Sequence, residues 1–139
     1  EDRLSLVQGI KENLIDVIMS DHIPEDEESK RLPFSQAATG AIGIETLLPL
    51  ALEMHHNESL PLNKIIETLT INPSKILQIN KGTLAKGSDG DICVLDLDAP
   101  WAVEAEKLKS KSKNTAIEGR KLQGKILMTF LDGELVFNQ

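Results

Sequence analysis

The sequence predicts an α/β fold, helical around one fully covered strand in its first half and β-rich in its second. Three observations carry this prediction. Leu14–Met19 (LIDVIM) is a run of apolar and β-branched residues broken only by Asp16, the pattern of a strand buried on both faces in a parallel sheet. Residues 40–79 carry apolar residues at helical spacing. Leu122–Phe137 reads as two strands about Asp132-Gly133, the dipeptide of a tight hairpin.

Composition narrows the class. The 139 residues are 40% hydrophobic and 27% charged, the balance of a soluble globular protein, and the length is enough to bury one core. One Trp, three Phe and no Tyr make that core aliphatic. A net charge of -7 argues against a nucleic-acid footprint or an anionic membrane surface as partner. The one cysteine, Cys93, excludes an intrachain disulfide and suits a reducing, cytoplasmic setting. Within DICVLDL it reads as a small core residue. No apolar run approaches the length of a membrane span.

In chain order, Leu4, Val7 and Ile10 mark an amphipathic helix over 1–13, with Asp2 as its cap, and the buried strand follows at once. Ile23–Leu32 is predicted to be a charged loop, with four acids (Glu25, Asp26, Glu27, Glu28) before Lys30 and Arg31. Gly40–His56 is read as helical, with Pro49 kinking it or starting its second part. The pair His55-His56 cannot chelate well, because adjacent residues face about 100° apart on a helix; they suit its C-terminus. Leu62–Leu69 is a further helix, and Asn72-Pro73 the cap and first position of another, closing at Lys81-Gly82. Beyond it, Asp91–Asp98 is a strand with apolar residues on both faces, Trp101–Val103 a short strand and Ala105–Leu108 a helical turn. Ser110–Asn114 is a polar loop. The organisation divides into residues 1–81 and 82–139.

Chemistry concentrates at the strand end. A carboxylate at the carboxyl end of a parallel strand is where α/β barrels place reactive groups, which makes Asp21 and His22 the candidates. The structural alternative is that Asp21 caps the next segment and His22 is a loop residue. There is no Gly-rich phosphate loop, no Cys/His cluster at ligand spacing and no plausible Ser-His-Asp set.

The succession SDHIP (20–24), LPF (32–34), GAIGIETLLPL (40–50), NPSKILQI (72–79), KGTLAKGSDGDICVLD (81–96) and SKSKNTAIEGRKLQGKI (110–126) resembles, in order, the carboxyl-terminal third of the dihydroorotases. The GTLAKGSDGDICVLD block alone is also similar to hydantoinases, dihydropyrimidinases and allantoinases. The resemblance implies the last strand and helices of a metal-dependent (β/α)8 hydrolase barrel, followed by part of a small β-sandwich domain. It implies reversible hydrolysis of the cyclic amide of L-dihydroorotate to N-carbamoyl-L-aspartate in pyrimidine biosynthesis. Asp21 then matches a zinc ligand that moves a proton between the metal-bound water and the ring nitrogen, and His22 a residue orienting it or packing under the loop. Zinc lowers the pKa of bound water to about 7. The family's DHAPH reads DHIPE here, so Glu25 stands where a His would help hold the substrate carboxylate, and repels that group unless turned away. Gly40 keeps the position of a glycine whose backbone faces substrate. The remaining metal ligands and substrate-gripping side chains are expected upstream of Glu1, so that these 139 residues alone form an inactive fragment without tight zinc. Dihydroorotase-like chains also include non-catalytic partners of aspartate carbamoyltransferase. An apolar strand such as Leu14–Met19 without neighbours predicts self-association or docking of a missing amino-terminal half.

Overall fold

A computed structural model describes residues 1–58 and 60–139. Helices α1 (Asp2–Lys11), α2 (Glu27–Arg31), α3 (Leu47–Glu58), α4 (Leu62–Leu69) and α5 (Ile71–Ile76) precede three strands, β1 (Ile92–Ala102), β2 (Lys121–Leu131) and β3 (Glu134–Asn138). The strands form one antiparallel sheet in the order β1-β2-β3.

Two apolar clusters hold these elements together, and α3 serves both. Ala51 joins Ile10, Leu60 and Ile65 on one side, with Ile15, Ile18, Met54 and Leu69 against them. On the other, Ile42, Val103, Leu108 and Leu122 cluster with Leu50, Trp101 and Ile117. Full burial of an aliphatic side chain such as Leu52, Leu60, Ile65 or Val103 stabilises by about 1.5–3 kcal/mol. Gly124 lets α3 lie close on the sheet: a Cβ there would stand 2.5 Å from Leu52 Cδ1.

The elements with local signals form where the sequence puts them. Helix α4 spans Leu62–Leu69, and Pro49 lies in the first turn of α3, the place a proline tolerates. The β2–β3 turn has φ of 51° at Asp132 and 81° at Gly133, the pair of left-handed residues a type I′ hairpin needs. Residues Ala105–Lys107 make a single 3₁₀ turn.

Several expectations are corrected. Leu14–Met19 is not a strand. A strand exists by pairing, and here Ile18 N–H donates instead to the Thr68 carbonyl (3.2 Å), while the Asp16 carbonyl accepts from Asn72 Nδ2 (3.0 Å). Leu14 and Met19 are accordingly 74% and 71% exposed. The charged loop contains α2: Asp26 accepts the Ser29 amide (2.8 Å), acids fill the first turn and Lys30 and Arg31 the last. Residue Glu1, not Asp2, is the N-cap of α1, and Thr70, not Asn72, that of α5. Between Gly40 and Gly43 the chain is non-helical, and a 3₁₀ turn at Ile44–Thr46 leads into α3. Strand β1 runs unbroken through Trp101, because Asp96 Oδ1 accepts the Asp98 and Ala99 amides (3.0 Å each) and absorbs a register shift there. From Leu95 its exposure alternates, so one face is covered rather than two. Cys93 is exposed, on the stretch of β1 that no helix covers.

The hairpin is tethered by charge. Asp91 accepts the Asp132 amide (3.0 Å), and its other oxygen pairs with Lys81 (2.7 Å), which also pairs with Asp89 (2.7 Å). The Asp132 amide first, then Lys81, hold the Asp91 carboxyl below the usual carboxylate range, and the two aspartates raise Lys81. A carboxyl whose folded pKa is depressed stabilises the fold above its unfolded value, about 3.9, and loses that contribution as pH falls through the folded one. Acid titration is therefore expected to release the Asp132 amide only at a pH below the ordinary carboxylate range, seen as a shift of its NMR resonance. Asp91→Asn, which keeps an acceptor but has no charge to lose, should flatten that transition.

Candidate functional site

The candidate site is the corner where 20–23 meets 41–44. The two segments run side by side, with a parallel bridge between His22 and Ala41 and the Ile23 amide on the Ala41 carbonyl (3.0 Å). A Cβ on Gly43 would sit 2.8 Å from the Ser20 carbonyl, so only glycine allows this approach. Asp21 is exposed at the corner with φ of 44°, in the left-handed region that Asp and Asn enter most readily among non-glycine residues.

His22 turns toward the backbone. Its Nδ1 accepts from the amides of Gly43 (3.1 Å) and Ile44 (3.4 Å), which places the ring proton on Nε2. These two bonds tie the 20–23 segment to the Gly43 turn. The GIET block acts through each residue in turn. Gly43 makes the close approach, while Glu45 accepts the amides of Lys109 (3.0 Å) and Ser110 (3.1 Å). Thr46, buried, returns both its amide and its hydroxyl to the Gly43 carbonyl (3.2 Å each).

Glu25 and Gly40 lie at the two ends of the loop that follows Asp21. Gly40 has φ of +126°, and a Cβ there would be 2.7 Å from the Ile23 carbonyl oxygen. Its own carbonyl accepts from Lys30 Nζ (3.0 Å) and Asn114 Nδ2 (3.1 Å). The Glu25 amide donates to Asn114 Oδ1 (3.4 Å), and Ser112 Oγ lies within hydrogen-bonding reach of the Glu25 carbonyl. Lys30, Glu45, Ser112 and Asn114 thus hold the corner together, and none was singled out as a site residue by motif. Asn114 and Ser112 belong to residue types that bond backbone readily, but their partners lie more than 70 residues away in sequence.

The histidines of α3 are committed to carbonyls, His55 Nδ1 with Leu60 O (2.9 Å) and His56 Nε2 with Leu97 O (3.2 Å). Among the described residues, no three His, Cys, Asp or Glu side chains come together as a metal-holding group. Zinc takes three or four protein ligands. Asp21 supplies one carboxylate, so the donor set on this chain does not fit a complete zinc site. Beside the corner, an apolar cavity of about 290 Å³ opens between Ile18–Ser20 and α3, with Ile42, Leu47 and Leu50 in its wall. Neither Asp21 nor His22 lines it.

Residues 1–136 match the amidohydrolase family. The chain belongs to that family. Its mixed helix-and-sheet architecture agrees with solved members: L-hydantoinase (dihydropyrimidinase) from Arthrobacter aurescens superposes with a TM-score of 0.89 at 32% identity, over 97% of this chain and 31% of that one. A D-hydantoinase at 23% identity and TM-score 0.88 repeats the fold. Among curated relatives, the dihydroorotase of Ehrlichia chaffeensis is 42% identical over 136 residues, covering 98% of this chain and 30% of the relative. That of Aquifex aeolicus is 41% identical over 137 residues, covering 99% and 32%. The chain therefore spans about a third of the length of the relatives it matches. No helix among the described residues is long and apolar enough to cross a membrane.

Proposed function

We propose that the protein carrying this chain is a dihydroorotase, hydrolysing the ring amide of L-dihydroorotate reversibly to N-carbamoyl-L-aspartate as a step of pyrimidine biosynthesis. The observation that carries the reading is the 42% identity to a dihydroorotase across 98% of the chain, with the SDHIP and GIET blocks meeting in one corner. Residues 1–81 are then the end of a barrel and 82–139 a portion of a sandwich domain. Among the described residues, Asp21 is the reactive group of this reading, a carboxylate able to take a proton from the attacking water and return it to the leaving ring nitrogen. Zinc, when bound in the whole enzyme, would supply the activation of that water; these residues do not complete its donor set. His22 fixes the corner, and Glu25 and Gly40 bracket the loop that faces substrate.

In this reading Leu14 and Met19, exposed without a pairing strand, are where the remainder of the protein packs, or where two copies of an isolated chain would associate. The full-length protein should turn over dihydroorotate. The isolated 139 residues should show neither turnover nor stoichiometric zinc, and should associate in solution. Absence of turnover by the full-length protein contradicts the proposed activity; turnover by the isolated chain, or a monodisperse monomer, contradicts the assignment of these residues as an incomplete portion of the enzyme.

A second reading, a hydantoinase-type cyclic amidohydrolase acting on an uncharged ring, is favoured by Glu25. An acid at this position of SDHIPE repels an anionic substrate when it faces the site, and an uncharged ring avoids that cost. Assay of the full-length protein on hydantoin beside dihydroorotate separates the two.

A further inference from the structure

Asn114 commits three polar groups to a single loop. Its Nδ2 donates to the Gly40 carbonyl (3.1 Å), its Oδ1 accepts the Glu25 amide (3.4 Å), and its own carbonyl accepts the Ile42 amide (3.1 Å). Ser112, two residues earlier, brings its hydroxyl to the Glu25 carbonyl and to Asn114 Oδ1; its single proton serves one of them at a time. The segment carrying both is itself held by Glu45, through the Lys109 and Ser110 amides. Lys30 closes the bracket from within the loop, donating to the carbonyls of Ala38 (2.7 Å) and Gly40 (3.0 Å). No residue between Pro24 and Thr39 belongs to either apolar cluster, so beyond the Ile23 amide on the Ala41 carbonyl these side-chain contacts hold the loop's ends.

We propose that Asn114 is a positioning residue of the candidate site, setting the separation of Glu25 and Gly40 across the loop that follows Asp21. This rests on the functional reading above, in which that loop faces the substrate. Its consequence is selective. Asp21 is presented by the His22 and Gly43 contacts, which Asn114 does not make, so loss of the Asn114 amide loosens the substrate loop and leaves the reacting carboxylate in place.

The test uses the full-length protein with Asn114→Ala, read by steady-state kinetics and by hydrogen exchange. The substitution removes two side-chain bonds to the loop, one of them long, and the Oδ1 that shares the Ser112 hydroxyl; with a net hydrogen bond worth about 1 kcal/mol, KM for dihydroorotate should rise about tenfold while kcat stays within about twofold. Exchange across residues 25–42 should speed up about tenfold, with α4 unchanged. Lys30→Met, at a half-buried side chain, should raise KM about threefold in the same direction, and it decides the matter should Asn114→Ala fail to fold. Unchanged KM and unchanged exchange over 25–42 overturn the proposal. So does a fall in kcat accompanied by faster exchange in α4, which marks general loosening. If the unsubstituted protein does not turn over dihydroorotate, the functional reading fails. The exchange over 25–42 then judges the positioning role by itself.

Discussion

Asp21→Asn in the full-length protein is expected to lower turnover of dihydroorotate about a thousandfold, within the span of 10²–10⁴ that a positioned general acid–base group contributes. Asparagine is the informative replacement. It has the size of aspartate and enters the left-handed region as readily, so the φ of 44° at this corner is met without new strain. What it lacks is the ability to take up a proton and release it. The structural alternative, in which Asp21 only shapes the turn, predicts near-normal turnover for the same variant, since Asn satisfies a turn as well as Asp does. Circular dichroism of the variant should match the parent, and KM should change less than kcat. A loss of activity smaller than about tenfold would return Asp21 to the role of a turn residue.

Legibility followed the range of each interaction. Helix α4 and the β2–β3 hairpin were readable because four apolar residues on one helical face, or one Asp-Gly dipeptide, suffice to specify them. The Leu14–Met19 segment misled for the opposite reason. Its composition asks for burial on both faces, but a strand is a property of a pair, and no segment among the described residues forms a ladder with it. Cys93 failed in the same way: its neighbours are apolar, yet its stretch of β1 has no covering layer. The small helix α2 was hidden inside a charge run, although Asp26 followed three residues later by Ser29 is the local cap that starts it. At the candidate site, Asp21 and Gly40 were singled out from their motifs, whereas the close approach at Gly43 was not. Asn114, Ser112 and Glu45 were not, because a polar residue in a loop gives no sign of which distant backbone it will meet.

Gly40→Ala is the second large effect, and it acts on stability and site together. The residue has φ of +126°, a conformation that costs an L side chain about 1–3 kcal/mol. The added Cβ would also lie 2.7 Å from the Ile23 carbonyl oxygen and 2.7 Å from Ile23 Cγ2. Backbone oxygen cannot rotate aside as a side-chain tip can, so the loop itself must move. Moving it breaks the Lys30 and Asn114 bonds to the Gly40 carbonyl, each worth about 1 kcal/mol net. A total loss of about 3–5 kcal/mol is expected from chemical denaturation of the full-length protein, with substrate affinity falling in step because Gly40 bounds the loop after Asp21. Gly87→Ala supplies the control. Its φ is +90°, but nothing lies within 4 Å of its added Cβ, so it carries the backbone strain without the collision and without any tie to the site. The difference between the two variants measures the collision with Ile23 together with the loss of the Lys30 and Asn114 bonds. Equal losses, with KM unchanged in both, would mean that the loop accommodates the methyl group and that the Gly40 corner does not govern substrate binding.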